Sequence, residues 1–507
     1  MTSYEPQHTS ASTGSAKDSI NLLRGWPHPS LLPTDLIRSA AQEALSDPAI
    51  STPGLLYGPD PGYEPLRESI AKWLTDFYHP QTKGDDAENR VTADRVSITG
   101  GASQNLGGIL NVYTDPSYTR CVWVVAPAYF LAFRIFEDAG LKMRAVPEDE
   151  EGVDLEYLSA EIEKAERTAQ EEGKHKPQFK HNRSWAKVYK HIIYCVPTFA
   201  NPSSRTTTLQ RRKDLIALAR ETDALVISDD VYDFLQWPTS IQTSSTVTLQ
   251  SSHLPRLVDL DRSMPADAFG NTCSNGSFSK IAGPGIRVGW CEGTPKFAYG
   301  VSQVGTTKSG GAPSQLTSTY VNILLEKGEL QRRIRNVLLP AYRRRYRELV
   351  NAVEEHLVPL GFRLPEHNAA MKSVAGGFFT WLTLPPELTA TAAGATNSTA
   401  HSASEVLAQR CLQEENVTIA PGKIFEIPGD HGSRHPGISF DNCVRLCWSW
   451  EDEDKLAEGI RRVGRVASEM MREGKEASAQ APSDEEHREE GITYGYVLVE
   501  KHARSKS

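Results

Sequence analysis

The chain has 507 residues, with 55 basic and 64 acidic side chains that give a formal net charge of −9. Hydrophobic residues make up 39% and charged residues 23%, a composition typical of a soluble globular protein with two or three domains rather than a disordered or fibrous one. The acidic balance offers no electrostatic basis for binding nucleic acid or an anionic membrane, and no apolar run approaches the ~20 residues of a membrane span.

The ends of the chain and its cysteines indicate a cytoplasmic protein. Residues 1–19 are polar and rich in Ser and Thr, with no apolar signal core, and they predict a disordered N-terminal tail. Residues 477–507 are again polar and charged and predict a C-terminal tail. The seven cysteines are widely spaced without a CxxC pair, which disfavours a disulfide framework.

Strand-like and helix-like segments alternate through the first two thirds of the chain. After an N-terminal arm over residues 20–60, apolar residues at helical spacing predict a helix from residue 62 to 77. The patterns that follow predict strands over 96–99, 121–125, 141–146, 191–196, 224–228 and 287–291, and helices over 104–113, 132–139 and 209–222. Such alternation predicts a mainly parallel sheet with helices on both faces.

Beyond residue 311 the pattern changes to that of a smaller α+β domain. It predicts a long helix over 329–357, strands over 377–384 and 444–448, and helices over 405–414 and 453–473. We therefore predict a large domain over 61–335 and a small domain over 336–476. Three charged or low-complexity stretches, at 161–190, 236–275 and 389–404, are interpreted as surface insertions.

The most informative motif is Ser277-Phe-Ser279-Lys280, which a glycine-rich turn connects to Arg287. A lysine that forms a Schiff base needs partial desolvation, because burial favours its neutral amine. Two hydroxyl groups and a guanidinium beside it would suit a phosphate, to which arginine can bind in a bidentate fork. The alternative for this motif alone is a surface lysine in a turn beside a strand.

Other polar residues follow the predicted strands. Ala102 and Ser103 lie in a glycine-rich turn before a helix, whose N-terminal amides can bind phosphate. Tyr129, Asn201 and Asp229 each come just after a predicted strand. In open α/β sheets, ligands bind at the edge formed by the carboxyl ends of the strands. Taken singly, a core tyrosine or a solvated turn acid would explain each of them.

As a spaced set, these residues resemble those of the class I/II aminotransferases, the pyridoxal-phosphate enzymes of fold type I. The resemblance covers about residues 20–475, and it is greatest to the kynurenine/2-aminoadipate aminotransferase branch, whose N-terminal pattern matches Gly25-Trp26-Pro27 and Tyr57-Gly58. It implies an α/β fold, in which a large domain has a mainly parallel sheet sandwiched by helices and a smaller domain is α+β.

The resemblance also implies a role for each matching residue. Lys280 would form the Schiff base with pyridoxal 5′-phosphate and later move a proton, while Asp229 would pair with the pyridine nitrogen. The remaining residues implied in cofactor binding are Asn201 and Tyr232 at the phenolic oxygen, Tyr129 on the ring, and Ala102, Ser103, Ser277, Ser279 and Arg287 at the phosphate.

For the substrate, the resemblance implies that Arg445 binds the α-carboxylate, together with Asn201 and Gly25. Tyr57 would reach across a homodimer to the neighbour's cofactor. The implied reaction moves an amino group from an L-amino acid, aromatic, 2-aminoadipate-like or of a broader range, to a 2-oxo acid such as 2-oxoglutarate. No metal, nucleic acid or membrane is implied.

Two other functions stay open at this point. The first is a pyridoxal-phosphate lyase, or an enzyme similar to aminocyclopropane-carboxylate synthase, because the fold and cofactor residues do not separate these reactions. The second is a transcription regulator with an aminotransferase-like body, which the short stretch before residue 20 disfavours. The sequence also departs from the family in having Ser203-Ser204 after Asn201-Pro202, where Thr-Gly is usual.

Overall fold

The computed structural model describes residues 17–79, 90–239, 252–264, 267–366, 373–393, 402–430 and 435–480. The predicted N-terminal tail therefore lies outside the described residues, except for 17–19. The predicted C-terminal tail also lies outside them beyond residue 480, where the last helix ends.

Seven strands form the central sheet. The strands in chain order are β1 (Ile20–Asn21), β2 (Val96–Thr99), β3 (Val122–Val125), β4 (Met143–Val146), β5 (Glu148–Asp149), β6 (Gly152–Val153), β7 (His191–Cys195), β8 (Ala224–Asp229), β9 (Gln236–Pro238), β10 (Thr272–Ser277), β11 (Gly289–Glu292), β12 (Val374–Gly376), β13 (Phe379–Thr383), β14 (Val417–Thr418), β15 (Ala420–Pro421) and β16 (Cys443–Cys447). The central sheet has the order β2-β11-β10-β8-β7-β3-β4. Its pairs are parallel except those of β11, which runs antiparallel to both neighbours. The mainly parallel sheet is thus confirmed.

Helices cover both faces of this sheet. The described helices in chain order are α1 (Thr34–Ser46), α2 (Pro48–Leu55), α3 (Glu64–Tyr78), α4 (Ala102–Tyr113), α5 (Phe133–Asp138), α6 (Leu155–Glu171), α7 (Leu209–Glu221), α8 (Leu257–Arg262), α9 (Pro295–Ser302), α10 (Gly305–Gly310), α11 (Gln315–Glu326), α12 (Glu329–Arg333), α13 (Leu339–His356), α14 (Pro386–Ala393), α15 (Ala403–Glu415) and α16 (Glu453–Gln480). Val122 and Val124 of β3 are buried with α4, α5 and α9, whereas Trp123 between them is buried with α6 and α7. The two-residue period of the strand therefore divides its side chains between two apolar layers. Among the described helices, none is long and apolar enough to cross a membrane.

A second, three-stranded antiparallel sheet has the order β13-β16-β15. The central strand β16 carries Arg445, which stands opposite Trp381 of β13 and Ala420 of β15. Helices α13, α14 and α15 all pack against α16. The long helix predicted over 329–357 is interrupted by a π-helical turn, Ile334–Leu338.

The predicted insertion at 236–275 is wrong as a surface excursion. It contains β9 and α8, and it also contains most of β10, a strand in the middle of the central sheet. Strand β10 has no apolar pattern in its sequence, because its polar side chains form hydrogen bonds inside the protein. Ser274 Oγ donates to Asp230 Oδ2 at 2.5 Å, and Asn275 Nδ2 donates to the carbonyl of Ala102 at 3.1 Å.

The other two predicted insertions are also partly core. In 161–190, the side chains of Ile162 and Ala169 are buried in α6, which packs on the sheet. Tyr189 is buried in the other apolar layer, where its hydroxyl donates to the carbonyl of Gly270 at 2.6 Å. In 389–404, residues 394–401 lie outside the described residues, and the flanking residues belong to α14 and α15. The strand predicted over 287–291 begins at Gly289 and runs antiparallel.

Candidate active site

A cavity of about 710 Å³ opens at the carboxyl ends of β3, β7 and β8, where residues of the N-terminal arm and of β16 complete its wall. Every predicted site residue except Tyr57 lines it: Gly25, Ala102, Ser103, Tyr129, Asn201, Asp229, Tyr232, Ser277, Ser279, Lys280, Arg287 and Arg445. The Tyr57 side chain lies on the outer surface and is 88% exposed. Residues that are up to 420 positions apart thus meet at the sheet edge predicted from the strand pattern.

Asp229 is the last residue of β8. The hydroxyl of Tyr194 donates to Asp229 Oδ2 at 2.8 Å. The other oxygen, Oδ1, is buried and accepts no hydrogen bond from the described residues. Burial raises the pKa of Asp229 to about 7, although the Tyr194 hydroxyl and the charge of Lys280 act in the opposite direction. The carboxylate is therefore placed where a cationic partner would stabilise its charged form.

Lys280 follows β10, and its amine points into the same cavity. Nζ donates to the carbonyl of Gly25 at 2.9 Å and lies 5.2 Å from the centre of the Phe378 ring. Burial lowers the pKa of Lys280 to about 8. Near neutral pH the side chain is therefore far more often a neutral nucleophile than a surface lysine is.

The glycine turn before α4 leaves the helix N-terminus open to the cavity. Gly101 is the N-cap of α4, has a φ of 97°, and has no side chain with which to cap the first amides. A Cβ at this position would lie 3.0 Å from Nη2 of Arg287. Arg287 also has a positive φ, 52°, and its Nη2 donates to the carbonyl of Gly100. Close approach of a guanidinium to bare helix amides produces an anion site.

Two hydroxyl groups stand beside this anion site. Ser277 Oγ donates to Ser279 Oγ at 2.9 Å, and the amide of Ser279 donates to Ser277 Oγ at 3.1 Å. Both serines line the cavity with Ala102 and Ser103 of α4. Hydroxyls, helix amides and a guanidinium together provide the donors that a phosphate group requires.

Arg445 lies in the opposite wall. Its Nη1 donates to Asn201 Oδ1 at 2.8 Å, and its Nη2 donates to the carbonyl of Leu23. Its Nε is buried without a hydrogen-bond partner among the described residues. The guanidinium carbon lies 4.1 Å from the centre of the Phe379 ring. Burial lowers the pKa of Arg445 to about 10, so it remains a cation at neutral pH that can bind a carboxylate.

Two tyrosines provide aromatic surface and hydroxyl groups. Burial raises the pKa of Tyr129 above its ordinary value, and the negative charge of Asp229 adds to the effect. Burial also raises the pKa of Tyr232, which packs edge-to-face on Phe378 with ring centres 5.6 Å apart. Both phenols therefore stay protonated at neutral pH and can donate hydrogen bonds.

Sequence reasoning assigned no role to Tyr194 and Arg24, which also line the cavity. Tyr194 is hidden inside the apolar strand β7, where only its polar hydroxyl at a strand position could have signalled a partner. Arg24 and Trp26 flank the predicted Gly25 and also line the cavity. Arg24 directly precedes the Gly25-Trp26-Pro27 motif, and this position was the signal that could have identified it.

These features fit pyridoxal 5′-phosphate. The buried and unpartnered Oδ1 of Asp229 suits a pyridinium nitrogen, and the open N-terminus of α4 with Arg287 suits the phosphate. Lys280 supplies a partly neutral amine in the same cavity. The donor set therefore matches a flat, phosphorylated aldehyde cofactor.

Comparisons with known proteins agree with this geometry. A family model described as aminotransferase class I and II matches residues 28–463. The chain is 35% identical to the uncharacterized protein YER152C of Saccharomyces cerevisiae, over 88% of this chain and 96% of that one. It is 28% identical to the 2-aminoadipate transaminase of Thermus thermophilus, over 89% of this chain and 91% of that one.

Among solved structures, the chain is similar to the kynurenine aminotransferase of Pyrococcus horikoshii in complex with PMP. The TM-score is 0.66 and the identity 26%, over 89% of this chain and 91% of that chain. The predicted fold type is thereby confirmed, and a lyase is not favoured by these relatives. The chain therefore belongs to the class I and II aminotransferases, and it is a transaminase of that family.

Proposed function

We propose that this transaminase binds pyridoxal 5′-phosphate in the 710 Å³ cavity and exchanges amino groups between L-amino acids and 2-oxo acids. The single observation that carries the proposal is the meeting of Lys280 and Asp229 in one cavity, with both pKa values shifted toward the neutral forms. When bound, the cofactor supplies a carbonyl carbon for the amino group and a ring that accepts electrons from the substrate Cα.

Different residues would handle the protons and bind the phosphate. Asp229 would hold the proton of the ring nitrogen, and Lys280 Nζ would carry a proton to and from the substrate Cα. The phosphate would be held by Ser277, Ser279 and Arg287 with the first amides of α4, formed by Ala102 and Ser103. Fixing the phosphate orients the reacting carbon, and orientation is worth a large part of a rate enhancement.

The substrate would be oriented by a separate group of residues. Arg445 and Asn201 would bind the α-carboxylate, with the carbonyl of Gly25 beside the amine of Lys280. Tyr129 would stack on the ring, and the Tyr232 hydroxyl would donate to its phenolic oxygen. Together these contacts would exclude water from the reacting carbon and keep the proton transfer between Lys280 and Cα.

The substrates proposed are aromatic or 2-aminoadipate-like amino acids, with a 2-oxo acid such as 2-oxoglutarate as the acceptor. The similarity to a 2-aminoadipate transaminase and to a kynurenine aminotransferase supports this choice.

A homodimer is part of the same proposal. Leu45, Leu55, Leu56 and Tyr57 are at least half exposed, and all four lie between the end of α1 and the residues that follow α2. Exposed apolar groups of this kind are typical of subunit interfaces. In such a dimer Tyr57 would contribute to the cofactor site of the other subunit.

We propose a cytoplasmic location, which the burial of all seven cysteines as thiols supports. The division into a large domain over 61–335 and a small domain over 336–476 is likewise a proposal. The separate three-stranded sheet, packed with α13 to α16, supports it.

The test uses the purified holoenzyme and one amino acid at a time. A transaminase converts the bound cofactor once to its amine form, and it turns over only when 2-oxoglutarate or pyruvate is added. Release of pyruvate and ammonia from an amino acid alone would contradict the proposal. Lys280→Ala should abolish the spectral change, whereas the matched control Lys164→Ala, on the exposed side of α6, should retain it.

A further inference from the structure

Arg24 lies in the wall of the cavity, where it packs against two tryptophans. Its guanidinium carbon is 4.8 Å from the centre of the Trp26 ring and 4.8 Å from that of Trp450. The two indoles contact each other edge-to-face with ring centres 5.8 Å apart. Arg24 and Trp26 both line the cavity, and both side chains are exposed. Within the described part of the chain, Arg24 forms no ion pair with a carboxylate.

The segment that carries Arg24 is fixed by hydrogen bonds. Asn21 Oδ1 accepts from the amides of Leu23 at 3.0 Å and Arg24 at 2.9 Å. The carbonyl of Leu23, the residue before Arg24, accepts from Arg445 Nη2. Arg24 is therefore coupled through the neighbouring peptide to the arginine proposed for the α-carboxylate.

Trp26 is fixed in the same way. Ser449 Oγ donates to the carbonyl of Trp26 at 2.9 Å, and the amide of Cys447 donates to the carbonyl of Leu22 at 2.8 Å. The arm thus follows β16 and the residues after it. A cation held on such a fixed wall loses little freedom when a ligand binds.

The cavity lining contains four basic side chains: Arg24, Lys280, Arg287 and Arg445. The proposed function uses the last three for the cofactor and the α-carboxylate, which leaves Arg24 without a role. The two ring centres are 5.8 Å apart and each is 4.8 Å from the guanidinium carbon, so both indoles lie on one side of Arg24. The N–H groups of a guanidinium point outward in its plane. In that plane an arginine can bind a carboxylate with two parallel hydrogen bonds.

We propose that Arg24, packed against Trp26 and Trp450, binds the distal carboxylate of dicarboxylic amino acids and 2-oxo acids. This inference rests on the proposed function, because it assigns the α-carboxylate to Arg445. A substrate with two carboxylates then meets two separate cations in one cavity. A monocarboxylic substrate would meet only Arg445 and leave Arg24 in water.

The first experiment compares acceptors in the holoenzyme with the same amino donor. Arg24→Gln should lower the ratio of kcat/KM for 2-oxoglutarate to kcat/KM for pyruvate by about 10- to 100-fold, the usual effect of losing a charge-assisted hydrogen-bonded pair. Arg24→Lys should lower it less, because it keeps the charge but not the fork. Arg38→Gln, on the exposed side of α1, is the matched control and should leave the ratio unchanged.

The second experiment measures binding alone. Glutarate and pentanoate have the same chain length, but only glutarate has a second carboxylate. Their dissociation constants for the holoenzyme can be measured by quenching of tryptophan fluorescence. The parent enzyme should prefer glutarate, and Arg24→Gln should remove most of that preference.

The outcomes separate the two proposals. Equal affinities of the parent for glutarate and pentanoate, or a preference that survives in Arg24→Gln, would overturn the role of Arg24. Either result would leave transamination of monocarboxylic substrates intact. If no amino acid converts the bound cofactor in the parent, the proposed function fails, while a glutarate preference that depends on Arg24 would still support a dicarboxylate subsite.

Discussion

Two clusters of buried ionisable groups, one on each face of the central sheet, are held in opposite ways. On the cavity face, Asp229 keeps one oxygen without a hydrogen bond among the described residues, and burial raises its pKa to about 7. In the same cavity, burial lowers the pKa of Lys280 to about 8. Both groups are therefore displaced toward their neutral forms.

The opposite face carries an ion cluster made of Arg256, Asp259 and Glu292. Arg256 donates from Nη2 to Asp259 Oδ1 at 2.8 Å and from Nη1 to Glu292 Oε2 at 2.6 Å. Burial opposes charge on Arg256, yet the two acids raise its pKa above the ordinary value. Burial likewise opposes charge on Asp259, yet Arg256 brings its pKa below the ordinary value.

The register explains why these environments lie so close together. Ser228 and Asp229 are successive residues of β8, so their side chains point to opposite faces. Ser274 pairs with both Ser228 and Glu292, which puts Glu292 on the face away from Asp229. Pairing thus favours the charged forms of Arg256 and Asp259, whereas incomplete pairing leaves Asp229 and Lys280 ready to exchange protons.

The largest expected effect on stability comes from breaking the ion cluster. Arg256→Met removes the cation nearest to both buried carboxylates and leaves Asp259 and Glu292 with the longer contacts of Arg262, at 3.4 and 3.7 Å. It should lower the free energy of unfolding by about 3 kcal/mol. Arg256→Lys, which keeps the charge, should lose less. Arg134→Met removes an exposed pair on α5 and should cost less than about 1 kcal/mol. Urea denaturation measures all three, and a loss below 1 kcal/mol in Arg256→Met would contradict the comparison.

On the cavity face, Asp229→Asn should affect activity rather than folding. A carboxylate and a pyridinium ~4 Å apart at an effective dielectric constant of ~20 attract by about 4 kcal/mol. After desolvation we expect kcat to fall about 100- to 1000-fold, or about 3–4 kcal/mol. The free energy of unfolding should not fall, because the variant removes a buried and only partly bonded acid. Single-turnover rates and urea curves give both numbers, with Asp138→Asn on exposed α5 as control.

The cavity should also change the reactivity of the Lys280 amine. A displacement of its pKa from 10.5 to about 8 makes it half neutral near pH 8, whereas an ordinary lysine is then less than about 1% neutral. Acylation of Lys280 in the apoenzyme, read by peptide mass spectrometry, should reach half its maximal rate near pH 8. A short lysine peptide in the same tube provides the reference. Equal midpoints for the two would show that the cavity does not desolvate the amine.

Much of the fold could be predicted from the sequence, because apolar strands and amphipathic helices reveal themselves by periodicity. Strand β2 has the predicted bounds, and β7 and β8 differ from prediction by a single residue. Strand β10 could not be found, since the sequence Thr-Cys-Ser-Asn-Gly-Ser satisfies its polar groups only through contacts with Asp230 and Ala102. No local pattern carries that information.

The residues of the candidate site were easier to predict from the sequence than strand β10, which lies beside them. Lys280, Asp229 and Arg445 were identified by their motifs, and the fold brings all three to one cavity. Tyr194 was not, because a tyrosine in a buried strand usually packs, and only the parallel pairing of β7 with β8 brings its hydroxyl to Asp229. The missing information was a register between strands, which the order of residues along one strand does not contain.

The smallest effect is expected from removing the hydrogen bond between Tyr194 and Asp229. The hydroxyl favours the carboxylate form of Asp229, so Tyr194→Phe should raise the pKa of Asp229 further, by roughly one unit for a hydrogen bond worth about 1–1.5 kcal/mol. Because this pKa in the folded apoenzyme already exceeds the ordinary 3.8, the folded state holds a proton that the unfolded state has lost. Stability must therefore fall as the pH rises from about 4 to about 7 on account of Asp229.

Tyr194→Phe should extend that fall in stability to higher pH, and Asp229→Asn should remove it. Urea midpoints of the apoenzyme between pH 5 and 9 measure the effect. Asp230 accepts hydrogen bonds from Ser228 and Ser274, yet burial raises its pKa to about 6, so it titrates in the same range. The double variant Tyr194→Phe/Asp229→Asn isolates the interaction between Tyr194 and Asp229. In the Asp229→Asn background, Tyr194→Phe should leave the pH dependence of stability unchanged. A pH dependence that shifts equally in both backgrounds would show that Tyr194 acts on another acid.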